Sequence, residues 1–181
     1  ESQLGNVVAR FPIHEAFLKG VDGCGALSSA IIIAKIDIHK AETPAALWKY
    51  AGLDVVTSDN KGRSRIKDHL VEREYIDFNG DNQKRAGITF NPLLKTKLLG
   101  VMSGCMIKSS AKTFKKTGKH TKYVQEYYNY KNRLENHPAH KDKTPLHRNR
   151  MAIRYMVKRF LVDLYMVWRK LENLPVTEEY S

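Results

Sequence analysis

A pair of glycines at the start of an apolar segment is the first stretch of the sequence suited to ligand binding. Gly23 and Gly25 lie one residue apart in VDGCGALSSAIIIAKI, where a helix is expected to begin. Glycine lets backbone N–H groups approach an anion closely, and the positive end of a helix dipole adds to the attraction. A tight turn between two packed helices needs the same residue type. The pattern predicts one of these two turns, with a positive φ at Gly25.

The residues around this turn match a helix-hairpin-helix. Val21 is suited to anchor the turn, Cys24 to plug between the two helices, and small residues follow, so that the helices can approach closely. The amides of such a turn contact duplex phosphates without reading sequence. The alternative is an ordinary helical hairpin with glycine caps, and Asp22 puts a negative charge beside the expected phosphate.

The composition indicates a polyanionic partner. The 181 residues include 31 Lys and Arg against 19 Asp and Glu, for a formal net charge of +12. Such an excess is typical of proteins that bind nucleic acid or an acidic membrane surface. No apolar run approaches the ~20 residues that span a bilayer. We therefore expect no membrane association and a cytoplasmic, nucleoid-associated protein.

Two segments carry the cations expected at a phosphate backbone. KSSAKTFKKTGKHTK is predicted as a flexible basic run, and residues four apart on the last helix share a second basic face. The alternative for the second segment is a solvated helix face. The candidate phosphate-binding residues are Lys108, Lys112, Lys115, Lys116, Lys119, Lys122, Arg150, Arg154 and Lys158.

Other residue types point less clearly to chemistry. Three tyrosines, Tyr127, Tyr128 and Tyr130, are able to stack on unpaired bases, but packing against neighbouring helices is the favoured interpretation. Cys24 and Cys105 lie far apart in apolar surroundings, as buried thiols do. A cluster of histidines (His137, His140 and His147) lacks the nearby cysteines of a zinc finger. We expect no metal and no cofactor in this chain.

The elements that must position these residues are mainly α-helical. Thr43 and Asn91 precede prolines and are expected to cap helices. A helix-hairpin-helix is followed by a β-hairpin insertion at about residues 70–90, around Asn79-Gly80, and then by long C-terminal helices. Because two strands alone are marginally stable, we expect the hairpin to lean on the helices.

The domain boundaries follow from these elements. Residues 1–10 are interpreted as the end of a preceding segment, residues 11–176 as one domain and residues 177–181 as a tail. Residues 53–65 are expected to form a polar, basic loop.

The order of the motifs along roughly residues 11–172 resembles that of one family. It is the C-terminal helix-hairpin-helix (transposase) domain of the serine-dependent, bridge-RNA-guided insertion-sequence transposases, or recombinases, which carry an N-terminal RuvC-like domain. The segments that carry the resemblance are VDGCGALSSAIIIAKIDI, LWKYAGL, TSDNKGRSR, GITFNPLLKTKLLGVM and RMAIRYMVKRFLVDLYMVWRK.

The resemblance implies DNA strand exchange by a serine nucleophile that attacks a backbone phosphate. Ser58 lies closest to the family's position after AGL, and Ser64 is the alternative, with better flanking charge. A serine hydroxyl needs activation and a neutralised phosphate for this reaction. Lys61, Arg63 and Arg65 are expected to hold that phosphate. Either serine is alternatively a solvated loop residue without chemistry.

Three departures from the family weaken the catalytic interpretation. SDNKG replaces a small-residue motif and puts Asp59 near the nucleophile, and the loop is longer than in many members. The family's divalent-metal carboxylates belong to the RuvC-like domain, which we expect to be missing here. The chain is therefore expected to bind better than it cuts. The resemblance implies DNA as the partner, a guide RNA as a further candidate partner, and a homo-oligomer in the full-length protein.

Two rival functions fit the same residues. The chain is alternatively a non-catalytic nucleic-acid-binding module that uses the helix-hairpin-helix and the basic segments. A third interpretation is a basic scaffold protein within a ribonucleoprotein, in which charge and tyrosines contact RNA.

Overall fold

The computed structural model describes residues 2–58, 61–63 and 69–177. Helices dominate these ranges, as predicted. They are α1 (Ser2–Val8), α2 (Pro12–Ala16), α3 (Ala26–Lys35), α4 (Pro44–Tyr50), α5 (Pro92–Thr96), α6 (Ser103–Thr117), α7 (Lys122–Asn136) and α8 (Pro145–Leu171). Short 3₁₀ turns at Leu18–Gly20, Ile38–Lys40 and Pro138–His140 join some of them, and a π-helical stretch, Lys97–Met102, continues α5 into α6.

Side-chain caps start three of these helices where proline follows the cap. The Thr43 Oγ1 accepts from the Ala46 amide at 3.1 Å, and the Asn91 Oδ1 accepts from the Leu94 amide at 3.0 Å. Thr144 caps α8 in the same way. Each cap satisfies one amide that the helix itself leaves unbonded. The predicted starts of α4 and α5 are confirmed.

The long helix α8 forms the centre of the core. Its apolar stripe is buried at Met156, Val157, Phe160, Leu161, Leu164 and Tyr165. Helices α2, α4, α6 and α7 all pack against it. The Tyr165 hydroxyl donates to the Glu42 carbonyl at 2.6 Å, which gives this buried ring a partner for its polar atom. The prediction of a mainly helical fold with a long C-terminal helix is confirmed.

The predicted β-hairpin insertion is confirmed, but it does not lean on the helices. Strands β3 (Leu70–Ile76) and β4 (Asn82–Ile88) pair antiparallel, from Leu70 opposite Ile88 to Ile76 opposite Asn82. The side chains of β3 are exposed along its whole length, and most of those of β4 are as well. Among the described residues, the buried contacts of the hairpin lie at its base, where His69 and Phe90 are buried with ring centroids 5.7 Å apart. We refer to residues 70–88 as the arm.

A second, shorter hairpin lies where the sequence predicts only a loop. Strands β1 (Val56–Ser58) and β2 (Lys61–Arg63) pair antiparallel. Strands of only three residues are too short to show an alternation of apolar and polar side chains. Their structure depends on the pairing of β1 with β2, which the sequence pattern does not reveal. The loop interpretation is wrong for these six residues.

Candidate nucleic-acid interface and serine loop

The paired-glycine turn uses its two glycines for different purposes. Gly23 has a φ of +85°, and a Cβ on it would lie 2.5 Å from the backbone N of Met106. The turn is thus packed directly against α6. Gly25 has a φ of −73°, and nothing lies within 4 Å of the position its Cβ would take. The expectation of a positive φ at Gly25 is wrong, because that conformation belongs to Gly23.

The start of α3 is uncapped beside this packed turn. Gly25 is the exposed N-cap residue, and it has no side chain to bond the first amides of the helix. Asp22 is exposed next to it, as the sequence suggests. Cys24 is buried, with its Sγ 3.7 Å from the Ser29 Oγ, and burial raises the pKa of its thiol. One face of the turn therefore serves packing, and its other face is open to solvent.

The lysine-rich segment is helical from residue 108 to residue 117, where the prediction of a flexible run is wrong. These residues form the second half of α6, Gly118 ends the helix with a φ of +71°, and residues 119–121 lie between α6 and α7. Spacings of three and four residues put the lysines of α6 on one side of the helix, opposite the buried Met106 and Ser110. We define the lysine face as the exposed residues Lys108, Lys112, Lys115, Lys116 and Lys119.

No carboxylate of the described residues neutralises the cations of the lysine face. Within residues 2–58, 61–63 and 69–177, none of the five forms an ion pair. Lys122 is different, since its ammonium group donates to the carboxylate of Asp163. The lysine face therefore presents unneutralised positive charge, and Lys122 does not belong to it.

An aromatic stack borders the lysine face. The Phe114 and His120 rings lie 4.3 Å apart with a 16° interplanar angle, and His120 lies 4.5 Å from the Tyr128 ring. The His120 Nδ1 is 3.2 Å from the Ser110 Oγ, which fixes the middle ring. Phe114 and Tyr128 remain exposed at the two ends. Phe114 and His120 were not among the predicted binding residues, although an aromatic residue between lysines was a visible signal.

The other two tyrosines of α7 pack within the protein. Tyr127 is buried, and its hydroxyl donates to the Asn149 Oδ1. Tyr130 stacks on Tyr155, with ring centroids 4.3 Å apart. The packing interpretation applies to these two residues, whereas Tyr128 belongs to the aromatic stack.

The basic residues of α8 do not form one open stripe. Arg150 is exposed, but Arg154 turns inward and donates to the Gly52 carbonyl at 3.2 Å. Burial lowers the pKa of the Arg154 guanidinium. The Lys158 ammonium lies 4.6 Å from the centre of the Trp48 ring. Of these three cations, Arg150 alone points to solvent without a contact of this kind.

The candidate nucleophile Ser58 ends strand β1, and its backbone is paired with Lys61 of β2. The Ser58, Lys61 and Arg63 side chains lie outside the part of the chain that the structure describes, as do Ser64 and Arg65 altogether. The structure therefore places the Ser58 backbone at the end of β1, and the choice between Ser58 and Ser64 as the nucleophile stays open.

A polar cluster, of which His69 is the buried member, flanks the serine loop on both sides in sequence. Asp54 precedes β1, and its Oδ2 lies 3.7 Å from the Nδ1 of His69, which precedes the arm. His69 is 3% exposed. Lys95 and Arg154 interact electrostatically with Asp54, and burial is the main cause that lowers the pKa of each. We call these four residues the polar cluster.

Two buried atoms of the polar cluster have no hydrogen-bond partner within the described part of the chain. They are the His69 Nε2 and the Asp54 Oδ1, both shielded from solvent. Unsatisfied buried polar atoms are costly, and in native proteins they are rare outside functional sites. An imidazole nitrogen without a partner is able to accept a proton, and two nearby cations favour an anion. The sequence gives no sign of this cluster, because its members come from four distant segments.

The arm carries a pair of arginines on one face. Arg73 and Arg85 are directly opposite each other across the two strands. Arg73 donates to the Ile88 carbonyl at 2.8 Å, and the Arg85 guanidinium lies 5.0 Å from the Tyr75 ring centre. Like charges opposite each other destabilise a hairpin. The pair lines an open cleft of about 650 Å³ at the base of the arm.

Neither a metal-binding group nor a membrane-spanning helix occurs among the described residues. Residues 2–58, 61–63 and 69–177 contain no group of three or more His, Cys, Asp or Glu arranged to hold a metal ion. Over the same ranges, no helix has the length and apolar character required to cross a lipid bilayer.

Comparison of the chain with family models, with curated proteins and with solved structures finds no match.

Proposed function

We propose that this chain binds nucleic acid through the lysine face, as the DNA-binding domain of a transposase or recombinase. The supporting observation is the set of exposed lysines of the lysine face without ion-pair partners among the described residues, beside an aromatic stack. Phosphate charges attract such a row regardless of base sequence. Exposed rings at its border suit the unpaired bases that strand exchange produces.

The test is the salt dependence of binding. Replacing Lys112, Lys115 and Lys116 by glutamine should weaken binding to all duplex sequences about equally. Each lost phosphate contact reduces the slope of log K against log salt by about 0.9 on duplex DNA. Loss of three contacts therefore flattens the slope by about 2.7. Fluorescence anisotropy titrations at several salt concentrations measure this change.

A matched control removes the same charge elsewhere. Lys19, Lys141 and Lys170 are exposed and lie outside both the lysine face and the β-hairpin arm. Their triple glutamine variant lowers the net charge by the same amount but leaves the lysine face intact. It should keep the wild-type slope. Equal flattening in both triple variants would show a general charge effect and contradict the proposed interface.

A second candidate function, serine-dependent strand exchange, is supported by the polar cluster. In this reaction the Ser58 oxygen forms a bond to phosphorus, and the bond from phosphorus to a deoxyribose oxygen breaks. The leaving oxygen takes up a proton, and the hydroxyl proton of Ser58 passes to a base. The unpartnered Nε2 of His69 is suited to accept that proton, and Lys95 and Arg154 are suited to offset the phosphate charge.

Trapping of a covalent protein–DNA adduct tests the second candidate. An adduct that survives denaturing electrophoresis should be present in Ser64→Ala and absent in Ser58→Ala. The reverse result would assign the nucleophile to Ser64. An adduct that persists in both variants would exclude both serines, while the lysine-face titrations would still stand on their own.

A further inference from the structure

The tip of the arm exposes apolar side chains far from the core. Phe78 is 98% exposed and Ile76 is 69% exposed. The Asp77 carboxylate accepts hydrogen bonds from the amides of Asn79 and Asp81, which fixes the turn that presents Phe78. An isolated two-stranded ribbon is marginally stable in water. A projecting arm with an exposed apolar tip is suited to contact with a second surface.

The charge at the tip favours a basic partner over nucleic acid. Asp77 and Asp81 are on either side of Phe78, so that phosphates would be repelled. A pocket with a basic rim complements the acidic tip, and this chain itself carries one, so that a second copy of the same chain fits the tip.

The chain carries a pocket suited to the Phe78 ring. Its volume is about 190 Å³, and an apolar cavity of about 150 Å³ already holds a benzene molecule. The pocket is lined mainly by Ile36, Ala41, Ala46, Leu47 and Tyr50.

The rim of this pocket has the charge that the acidic tip requires. Lys35 and Lys40 are at its edge, both exposed. The rim also includes Asp37, whose carboxylate is 3.4 Å from the Lys40 ammonium. An apolar floor between lysines matches a phenylalanine flanked by aspartates.

The pocket lies at the base of the arm, at the opposite end from Phe78. The Tyr50 carbonyl accepts from the Asn91 amide at 2.8 Å, and the Asn91 side chain donates to the Tyr50 hydroxyl at 3.0 Å. Asn91 follows β4 by three residues. A strand of seven residues spans about 23 Å at ~3.3 Å per residue. Two arms related by a two-fold axis and running antiparallel put each tip at the base of the other.

We propose that two copies of this chain associate through their arms, with the Phe78 ring of each copy in the pocket beside Tyr50 of the other. The free edges of the two-stranded arms supply unpaired backbone groups that are able to bond across the axis. Each contact occurs twice in such an arrangement, as a two-fold interface requires.

Sedimentation equilibrium of the whole chain tests the association. Phe78→Ser should raise the dimer dissociation constant by about tenfold or more, as loss of a buried aromatic anchor does. Asp81→Lys should weaken the dimer, and Lys35→Glu with Lys40→Glu should restore it in that background. Leu146→Ser is the matched control, because Leu146 is exposed on α8 outside the arm. It should leave the dissociation constant unchanged.

Disulfide trapping tests the geometry. In a Cys105→Ser background, Phe78→Cys chains mixed with Ala46→Cys chains should form a covalent dimer on oxidation. Either variant alone should not, because equal residues are far apart in the proposed dimer. Crosslinking of Phe78→Cys alone would show that the tips meet and would overturn the proposal. A wild-type chain that stays monomeric from about 1 to 100 µM would overturn it too, and a lower DNA affinity of monomeric Phe78→Ser would then assign the tip to nucleic acid.

Discussion

The hydroxyl of Tyr123 donates a hydrogen bond to the carboxylate of Asp163 at 2.8 Å and so joins α7 to α8. Tyr123 is buried, and burial and the nearby carboxylate together raise the pKa of its phenol well above the ordinary value of 10.0. The Tyr123 phenol therefore ionises at a higher pH in the folded chain than in the unfolded chain, where its pKa is about 10.0.

This pKa difference predicts a loss of stability in alkali. The folded pKa is raised, so the stabilisation is complete below the unfolded value of 10.0 and is lost as the pH rises above it. Tyr123→Phe should lower stability near neutral pH by about 2 kcal/mol, through loss of a hydrogen bond to a charged group. It should also reduce the alkaline decline. Urea unfolding at pH 8 and at pH values above 10 measures both effects.

An exposed tyrosine provides the control for the alkaline experiment. Tyr75→Phe, on the arm, should change neither the stability at pH 8 nor the alkaline decline. If Tyr123→Phe declined as steeply as the wild type, ionisation of Tyr123 would not be the cause.

The helix starts were predictable because their signals are local. Thr43 and Asn91 each precede a proline, and cap geometry depends on four consecutive residues. The polar cluster was not predictable, since Asp54 and Arg154 are 100 residues apart and only tertiary packing brings them together.

The arm shows the same division between local and non-local information. Asn79-Gly80 between alternating segments predicts a hairpin. Apolar residues then occur on both faces of β3, where Leu70 and Ile76 are on one face and Val71 and Tyr75 on the other. Neither face of β3 is distinctly more apolar than the other, so the sequence does not reveal whether the hairpin packs against the core or projects from it.

The two glycines of the turn should respond oppositely to one substitution. Gly23→Ser places a Cβ on a residue with a positive φ, and this Cβ also clashes with the backbone of α6. Backbone atoms move less readily than the end of a side chain, so the clash is not relieved. We expect a loss of about 3 kcal/mol. Gly25→Ser puts a capping hydroxyl at the start of α3 and should raise stability by a few tenths of a kcal/mol. Chemical denaturation measures both, and an equal loss in the two variants would contradict this division of roles.

The two thiols should differ in reactivity. The expectation of two buried thiols is wrong for Cys105, which is exposed. Cys24 is buried, and its raised pKa lowers its thiolate fraction. We expect one rapidly reacting thiol per folded chain with a water-soluble thiol reagent. Cys24 should react only when the protein opens, at a rate set by the opened population.

Single serine variants identify the thiols. Cys105→Ser should abolish the rapid phase, and Cys24→Ser should retain it. Two rapid phases in the wild type would show that the region around Cys24 opens readily, in disagreement with its buried position.

The aromatic stack should contribute to the binding of single strands. Tyr128 is 39% exposed at one end of the stack, where an unpaired base is able to continue it. Tyr128→Ala should weaken binding to a single-stranded oligonucleotide by about 1–3 kcal/mol, the usual contribution of one stacked base. Duplex binding should fall less, because paired bases are not available for stacking. Anisotropy titrations with the two substrates at equal salt compare the losses.

Two further variants separate stacking from other effects of the Tyr128 substitution. Tyr128→Phe keeps the ring and removes the hydroxyl, so it should bind as the wild type does. Tyr75→Ala removes a tyrosine of nearly equal exposure, 40%, from the arm, and it should leave single-strand affinity unchanged. An equal loss on duplex and single strand in Tyr128→Ala would mean that the ring supports the lysine face rather than a base. The interface would then bind through phosphate charge alone.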